Sequence, residues 1–239
     1  MSCFEPASEM AFGEQAALCG ILASLKPQLA LELGTFRGGS LAHIAAYSRE
    51  VHSFDLASHV VETLPNVSYH LGDTATTLPR LLAELTEQRR NVSFALVDAD
   101  HSREGVERDL DNLLRSPAVT ETMILLHDCA NEAVREGARL AIMRADGIAY
   151  ADLSFLDTAS HSSLLNEAWG GLGIVVVDSQ GEFWPLHRKV LANVHWRTSG
   201  RRSLAWHALS PIRSAKRDLL YRARPFYRKL AGTRGVRLS

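Results

Sequence analysis

Apolar runs and helical stripes alternate along the first 180 residues. Runs at 28–33, 51–55, 66–71, 92–97, 121–126, 148–154 and 172–178 have the length and composition of buried strands. Between them, apolar positions recur at helical spacing. Ala17, Leu18, Ile21, Leu22 and Leu25 share a face around 13–25. Leu78, Leu81, Leu82 and Leu85 share another, and Val106, Leu110, Leu113 and Leu114 a third. Strands alternating with helices predict a parallel sheet covered on both faces. Residues 157–171, polar and ending in Gly170-Gly171, read as a long loop before the last strand, a place where lids and ligand walls sit.

The polar residues that interrupt this pattern fall where such a sheet binds its ligands, beyond the carboxyl ends of the strands. Asp55 closes the second run and Asp73 the third. Asp98, Asp100 and His101 close the fourth, and His127 and Asp128 the fifth. After the first run comes Glu32-Leu-Gly34-Thr-Phe-Arg-Gly38-Gly-Ser40, two glycines four residues apart leading into a helical pattern. Glycine permits a tight turn and close approach of a ligand to the backbone. The helix start that follows offers N–H groups and a positive dipole end to an anion. With Glu32 as a carboxylate for a cation, the stretch suits a ligand carrying both an ammonium and a carboxylate, as the methionine part of S-adenosylmethionine does.

Composition changes this picture at one end only. The 239 residues carry a net charge of −1, but residues 1–182 hold 12 Lys/Arg against 26 Asp/Glu, and residues 183–239 hold 14 Lys/Arg against the single acid Asp218. The chain therefore divides into an α/β body, 1–182, and a basic extension, 183–239. From Ile212 to Leu230 apolar positions keep helical spacing, with Pro225 inside the run. A basic amphipathic segment with Tyr221, Phe226 and Tyr227 suits an anionic membrane surface. Docking on the acidic body of its own or a neighbouring subunit, hence a homo-oligomer, is the alternative, and nucleic acid a lesser one. The three scattered cysteines suggest no disulfide framework. The start has no signal-peptide pattern, and no apolar run approaches the ~20 residues of a membrane span, which together point to the cytoplasm, with the tail at the inner membrane face.

The strand-end residues permit a specific chemistry. Asp55 is placed to bond ribose hydroxyls, and Asp73 either to accept from an adenine amino group or to cap the helix starting at Thr74. Asp98 and Asp128 project toward one point from neighbouring strand ends, as suits a divalent cation, and His127 tilts the preference from Mg²⁺ toward Mn²⁺, Fe²⁺ or Zn²⁺. A cation there lowers the pKa of a substrate hydroxyl, and a base removes the proton. His101 is the first candidate for that base and Asp100 the second. Trp169 and His161 are candidates for contact with the acceptor.

The stretches ELGTFRGGS, VDADHSREGVERDL and LLHDC together resemble the class I S-adenosylmethionine-dependent methyltransferases, in particular the metal-dependent branch that methylates sugar and antibiotic hydroxyls and includes cephalosporin hydroxylase-like proteins. The resemblance covers roughly residues 13–180. It implies a Rossmann-like seven-stranded, mostly parallel sheet and an O-methyltransferase acting on a small molecule, a sugar or glycosylated metabolite. It implies donor contacts from Glu32, Gly34, Gly38, Ser40, Asp55, Asp73 and Asp98, and Mg²⁺ or Mn²⁺ held by Asp98, His127 and Asp128. His101 or Asp100 would be the base. The chain departs from the family at His127, where Asp or Glu is commoner. The rival reading is a catalytically silent adapter that keeps the fold and recruits a membrane or partner through its tail.

Overall fold

The computed structural model describes residues 9–60, 63–162 and 167–179. The boundary at 182, the basic extension and the 212–230 segment lie outside these residues. In chain order the elements are α1 (Phe12–Leu25), β1 (Leu29–Leu33), α2 (Gly39–Tyr47), β2 (Glu50–Asp55), β3 (Val67–Leu71), α3 (Thr74–Glu87), β4 (Phe94–Val97), α4 (Arg103–Leu114), β5 (Glu121–Leu126), α5 (Glu132–Arg144), β6 (Ile148–Leu156), β7 (Ser160–Ser162), β8 (Glu167–Trp169) and β9 (Leu172–Asp178).

Seven strands form one sheet in the order β3-β2-β1-β4-β5-β9-β6. The first five pair in parallel, while β9 runs antiparallel to both β5 and β6. The alternation predicts a sheet with helices on both faces, and the Rossmann-like, mostly parallel form is the one that the resemblance implies. Strand side chains alternate between two cores. Leu29, Leu31 and Leu33 of β1 pack with α3, α4 and α5, whereas Ala30 packs with Leu18 and Leu22 of α1 and Leu41 and Ile44 of α2. Burial on both faces explains why β1, β4, β5 and β9 read as continuous apolar runs.

Two features differ from the sequence expectation. Residues 157–171 are not all loop: Ser160–Ser162 pairs antiparallel with Glu167–Trp169. Three-residue polar strands are too short to show an alternation. Helix α5 also carries a buried stripe that no repeat of large apolar residues marks. It buries small residues, Ala133, Ala138 and Ala141 beside Val134 and Ile142, because it packs closely on α4. At Gly137 a Cβ would run into the Arg103 carbonyl of α4.

Candidate functional site

The parallel register brings the strand ends level. Leu33 pairs with Phe54 and Val97, and Val97 with Leu126. The ladder continues one residue further, since Gly34 N–H donates to Phe54 O, Asp98 N–H to Leu33 O and His127 N–H to Val97 O. Gly34, Asp55, Asp98 and His127 therefore stand side by side along one rim. The antiparallel β9 starts at the same rim, with Leu126 opposite Gly173, and β6 ends there, with Leu156 opposite Leu172.

In the glycine loop, Gly34 and Gly38 have φ of 92° and 81°. The two serve different ends. A Cβ on Gly34 would overlap the Asp98 carbonyl and lie 2.8 Å from Ala99 Cα, so this glycine lets β1 and β4 meet. A Cβ on Gly38 would meet only Val60 and Leu41 side chains at ordinary distances, so Gly38 is required by its left-handed backbone just before α2. Asp55 folds back on the loop: its Oδ2 accepts from Thr35 N–H (3.1 Å) and Phe36 N–H (2.7 Å). Glu32 points inward and is fully buried. It accepts from Ser40 Oγ (2.6 Å) and Ser53 Oγ (3.3 Å), tying the start of α2 to β1 and β2. Burial pushes its carboxyl up to about 8, with Ser40 opposing and the nearby Asp98 charge adding to the rise. Asp73 caps α3, accepting from Ala75 N–H at 2.8 Å, and remains exposed.

Four of the predicted residues converge on one point. His101 Nε2 lies 3.0 Å from Asp98 Oδ1 and 3.0 Å from Asp128 Oδ2. His127 Nδ1 lies 3.1 Å from Asp98 Oδ1 and 3.6 Å from Asp128 Oδ2. Asp100 does not join them. It turns toward α4, accepting from Ser102 N–H at 2.8 Å and lying over Gly105. The ring of Trp169 stands edge-on to His101, with centroids 5.5 Å apart. His161 has no described side chain.

Asp128 is held by its backbone as well as by its neighbours. It adopts φ of 56°, unusual for a non-glycine residue, and its Oδ1 accepts from Gly170 N–H at 2.6 Å. Its neighbour His127 reaches, through Nε2, a residue that the sequence pattern did not single out: Glu14 of α1, 3.2 Å away. Glu14 read as one polar position in an apolar helix, and nothing local marked it. Only the fold brings residues 14 and 127 together.

The electrostatics follow from this cluster. Burial alone would lower the His127 pKa, but the Asp98 charge and hydrogen bonds to Asp98 and Glu14 outweigh it and lift the ring to about 11. Burial would likewise raise Glu14, yet hydrogen bonds from His127 and Thr158 bring it down to about 2. Asp98 falls well below the ordinary carboxylate range, because His127 and His101 overcome its burial. The His127 ring thus lies between the carboxylates of Asp98 and Glu14.

The donor set also fits a divalent cation. One ligand atom from each of Asp98, His127 and Asp128 lies within 4.8 Å of the others. Neighbouring ligands on a small octahedral ion are about 3 Å apart, given bonds of about 2.1 Å. For His127 to ligate, Nδ1 must give up its proton. A groove of about 830 Å³ between α3 and α4, lined by Leu82, Glu107 and Arg108 among others, touches none of these donors.

Residues 31–129 match the family model described as a methyltransferase domain. No curated protein matches the sequence. Among solved structures, the chain is similar to a protein from Klebsiella pneumoniae assigned as an O-methyltransferase, with 16% identity, 72% of this chain and 83% of that chain covered, and a TM-score of 0.52. It is also similar to TomG of Streptomyces achromogenes, an O-methyltransferase involved in tomaymycin synthesis and solved with S-adenosylmethionine (13% identity, 72% and 82% covered, TM-score 0.53). A third is the cofactor-bound Rv0187 of MTB (15% identity, 73% and 84% covered, TM-score 0.50). At these identities the likeness is one of fold.

Proposed function

We propose that this chain, which carries a class I methyltransferase domain, transfers the methyl group of S-adenosylmethionine to a hydroxyl of a small molecule with the help of a divalent cation. The observation that supports this best is the convergence of Asp98, His101, His127 and Asp128 at the rim where the glycine loop also opens. Bound there, the donor would supply an electrophilic methyl on a sulfonium, and a cation would lower the pKa of the acceptor hydroxyl.

The chain's own residues do the rest. The first turn of α2, starting at Gly39, presents its N–H groups and dipole to the donor carboxylate. Asp55 keeps the loop in shape while facing the ribose side, and Asp73 stands at the adenine end of the rim. Asp98, His127 and Asp128 would hold the cation. His101, beside them, takes the hydroxyl proton as the oxygen–carbon bond forms and the sulfur–carbon bond breaks. Asp100, committed to the α4 start, is the weaker candidate for base. Most of the rate comes from alignment of oxygen, methyl and sulfur. Trp169, whose ring centroid lies 5.5 Å from that of His101, is the candidate for contact with a sugar or glycosylated acceptor. The silent-adapter alternative is not favoured, since it gives no reason for two carboxylates and two imidazoles to meet.

Calorimetric titration with S-adenosylmethionine, with and without Mn²⁺ or Mg²⁺, followed by an acceptor screen, tests the reading. Donor binding and chelator-sensitive methylation of a hydroxyl are expected. A folded protein that ignores the donor would defeat it, and full turnover in EDTA would remove the cation. No described helix is long and apolar enough to cross a membrane. A cytoplasmic location, the division at residue 182 and attachment of the tail to a membrane are proposals resting on the sequence alone.

A further inference from the structure

Glu14 is 1% exposed and belongs to the first turn of α1. Half of its work is ordinary capping, since Oε2 accepts from Ala11 N–H at 2.7 Å. A cap does not need burial, and a buried carboxylate is costly unless it is fully partnered. Here both oxygens are used again. Oε1 accepts from Gly171 N–H at 2.6 Å and from the Thr158 hydroxyl, and Oε2 faces His127 Nε2 at 3.2 Å.

We propose that Glu14 is a positioning residue for the cation site, one that turns the Nδ1 of His127 toward Asp98 and Asp128. The inference rests on the cation reading above. Its physical core is that an ionised carboxylate only accepts. Every atom facing Glu14 must therefore donate, and His127 Nε2 must carry the proton. When the ring is neutral its lone pair then sits on Nδ1, the atom 3.1 Å from Asp98 Oδ1. A carboxylate on the far nitrogen also makes the ligating nitrogen more basic. The amides of two consecutive glycines join the layers: Gly170 N–H donates to Asp128, Gly171 N–H to Glu14. Both glycines have positive φ, 84° and 80°, which aims successive N–H groups at the two carboxylates. An amide in place of Glu14 could not accept from all these donors and could present its NH₂ to Nε2, reversing the ring.

The test is a Mn²⁺ titration of the full-length protein, followed by the electron paramagnetic resonance signal of free Mn²⁺. Glu14→Gln should weaken Mn²⁺ affinity about 10- to 100-fold. In a His127→Asp background, where an oxygen replaces the imidazole, Glu14→Gln should cause no further weakening. A structural role would not show this dependence on residue 127. If Glu14→Gln does not fold, Glu14→Asp, too short to reach His127, should weaken binding in the same direction. Unchanged affinity in the folded variants, or equal weakening in both backgrounds, overturns the role of Glu14 alone. A wild-type protein that binds no Mn²⁺ overturns the cation reading itself and this inference with it.

Discussion

Glu32 closes β1 with its carboxyl shut away from water, and burial holds its pKa near 8 against an ordinary value of 4.5. An acid raised on folding contributes its stability fully below the unfolded pKa and loses it as pH climbs toward the folded one. The native state should therefore lose stability between pH 5 and 8 through this residue, by an amount on the order of a few kcal/mol. Glu32→Gln, neutral at every pH and matched in size, should escape that loss. In urea unfolding, the difference between variant and wild type should swing toward the variant as pH rises from 5 to 8. A difference that stays constant would place the proton elsewhere. Residue-scale legibility in the sequence was uneven for a related reason. The glycine spacing singled out Gly34 and Gly38, and both have positive φ, but a Cβ on Gly34 would meet the Asp98 backbone of the neighbouring strand. Sequence spacing reports that a position needs glycine. Which atoms come close is decided by strands distant in the chain, and Glu14 was missed on the same grounds.

Among the elements, β1, β4, β5 and β9 were the most legible strands, because each is a nearly continuous apolar run buried on both faces, whereas the edge strands β3 and β6 are only partly buried. Helices α1, α3 and α4 were legible because their large apolar residues repeat at helical spacing. Helix α5 was harder to see, since its contact with α4 selects small residues rather than large ones. That contact makes a prediction whose sign is not obvious. In an isolated helix Gly→Ala gains about 1 kcal/mol. At Gly137 the added methyl would overlap the Arg103 carbonyl and lie 3.1 Å from Glu107 N, and backbone atoms cannot change rotamer to make room. Overpacking of this kind costs about 1–3 kcal/mol. Gly137→Ala should thus lower the urea midpoint, whereas Gly20→Ala in α1, where a Cβ meets nothing within 4 Å, should raise or preserve it. A stabilised Gly137→Ala would mean that α4 and α5 separate more easily than their packing indicates.

For the whole molecule, the distribution of charge matters more than its total. The first 182 residues carry 26 acids and 12 Lys/Arg, the last 57 carry 14 Lys/Arg and one acid, and the near-zero sum conceals both. All residues of the candidate site belong to the first part. The proposed membrane attachment of the second part draws on the helical spacing of apolar positions from Ile212 to Leu230 as well as on its charge. A charge or an apolar face alone binds membranes marginally, but the two combined make a stable peripheral attachment. Each basic residue near an anionic surface adds on the order of 1 kcal/mol, and salt weakens it over a Debye length of about 10 Å at 0.1 M. The full-length protein should therefore cosediment with vesicles containing phosphatidylserine, less with neutral vesicles, and less as salt rises. Truncation after Ser210 should abolish sedimentation while leaving binding of S-adenosylmethionine intact. Indifference to anionic vesicles at low salt would end the membrane proposal. A truncated protein that unfolds or changes its oligomeric state would show instead that the basic segment clasps the acidic body.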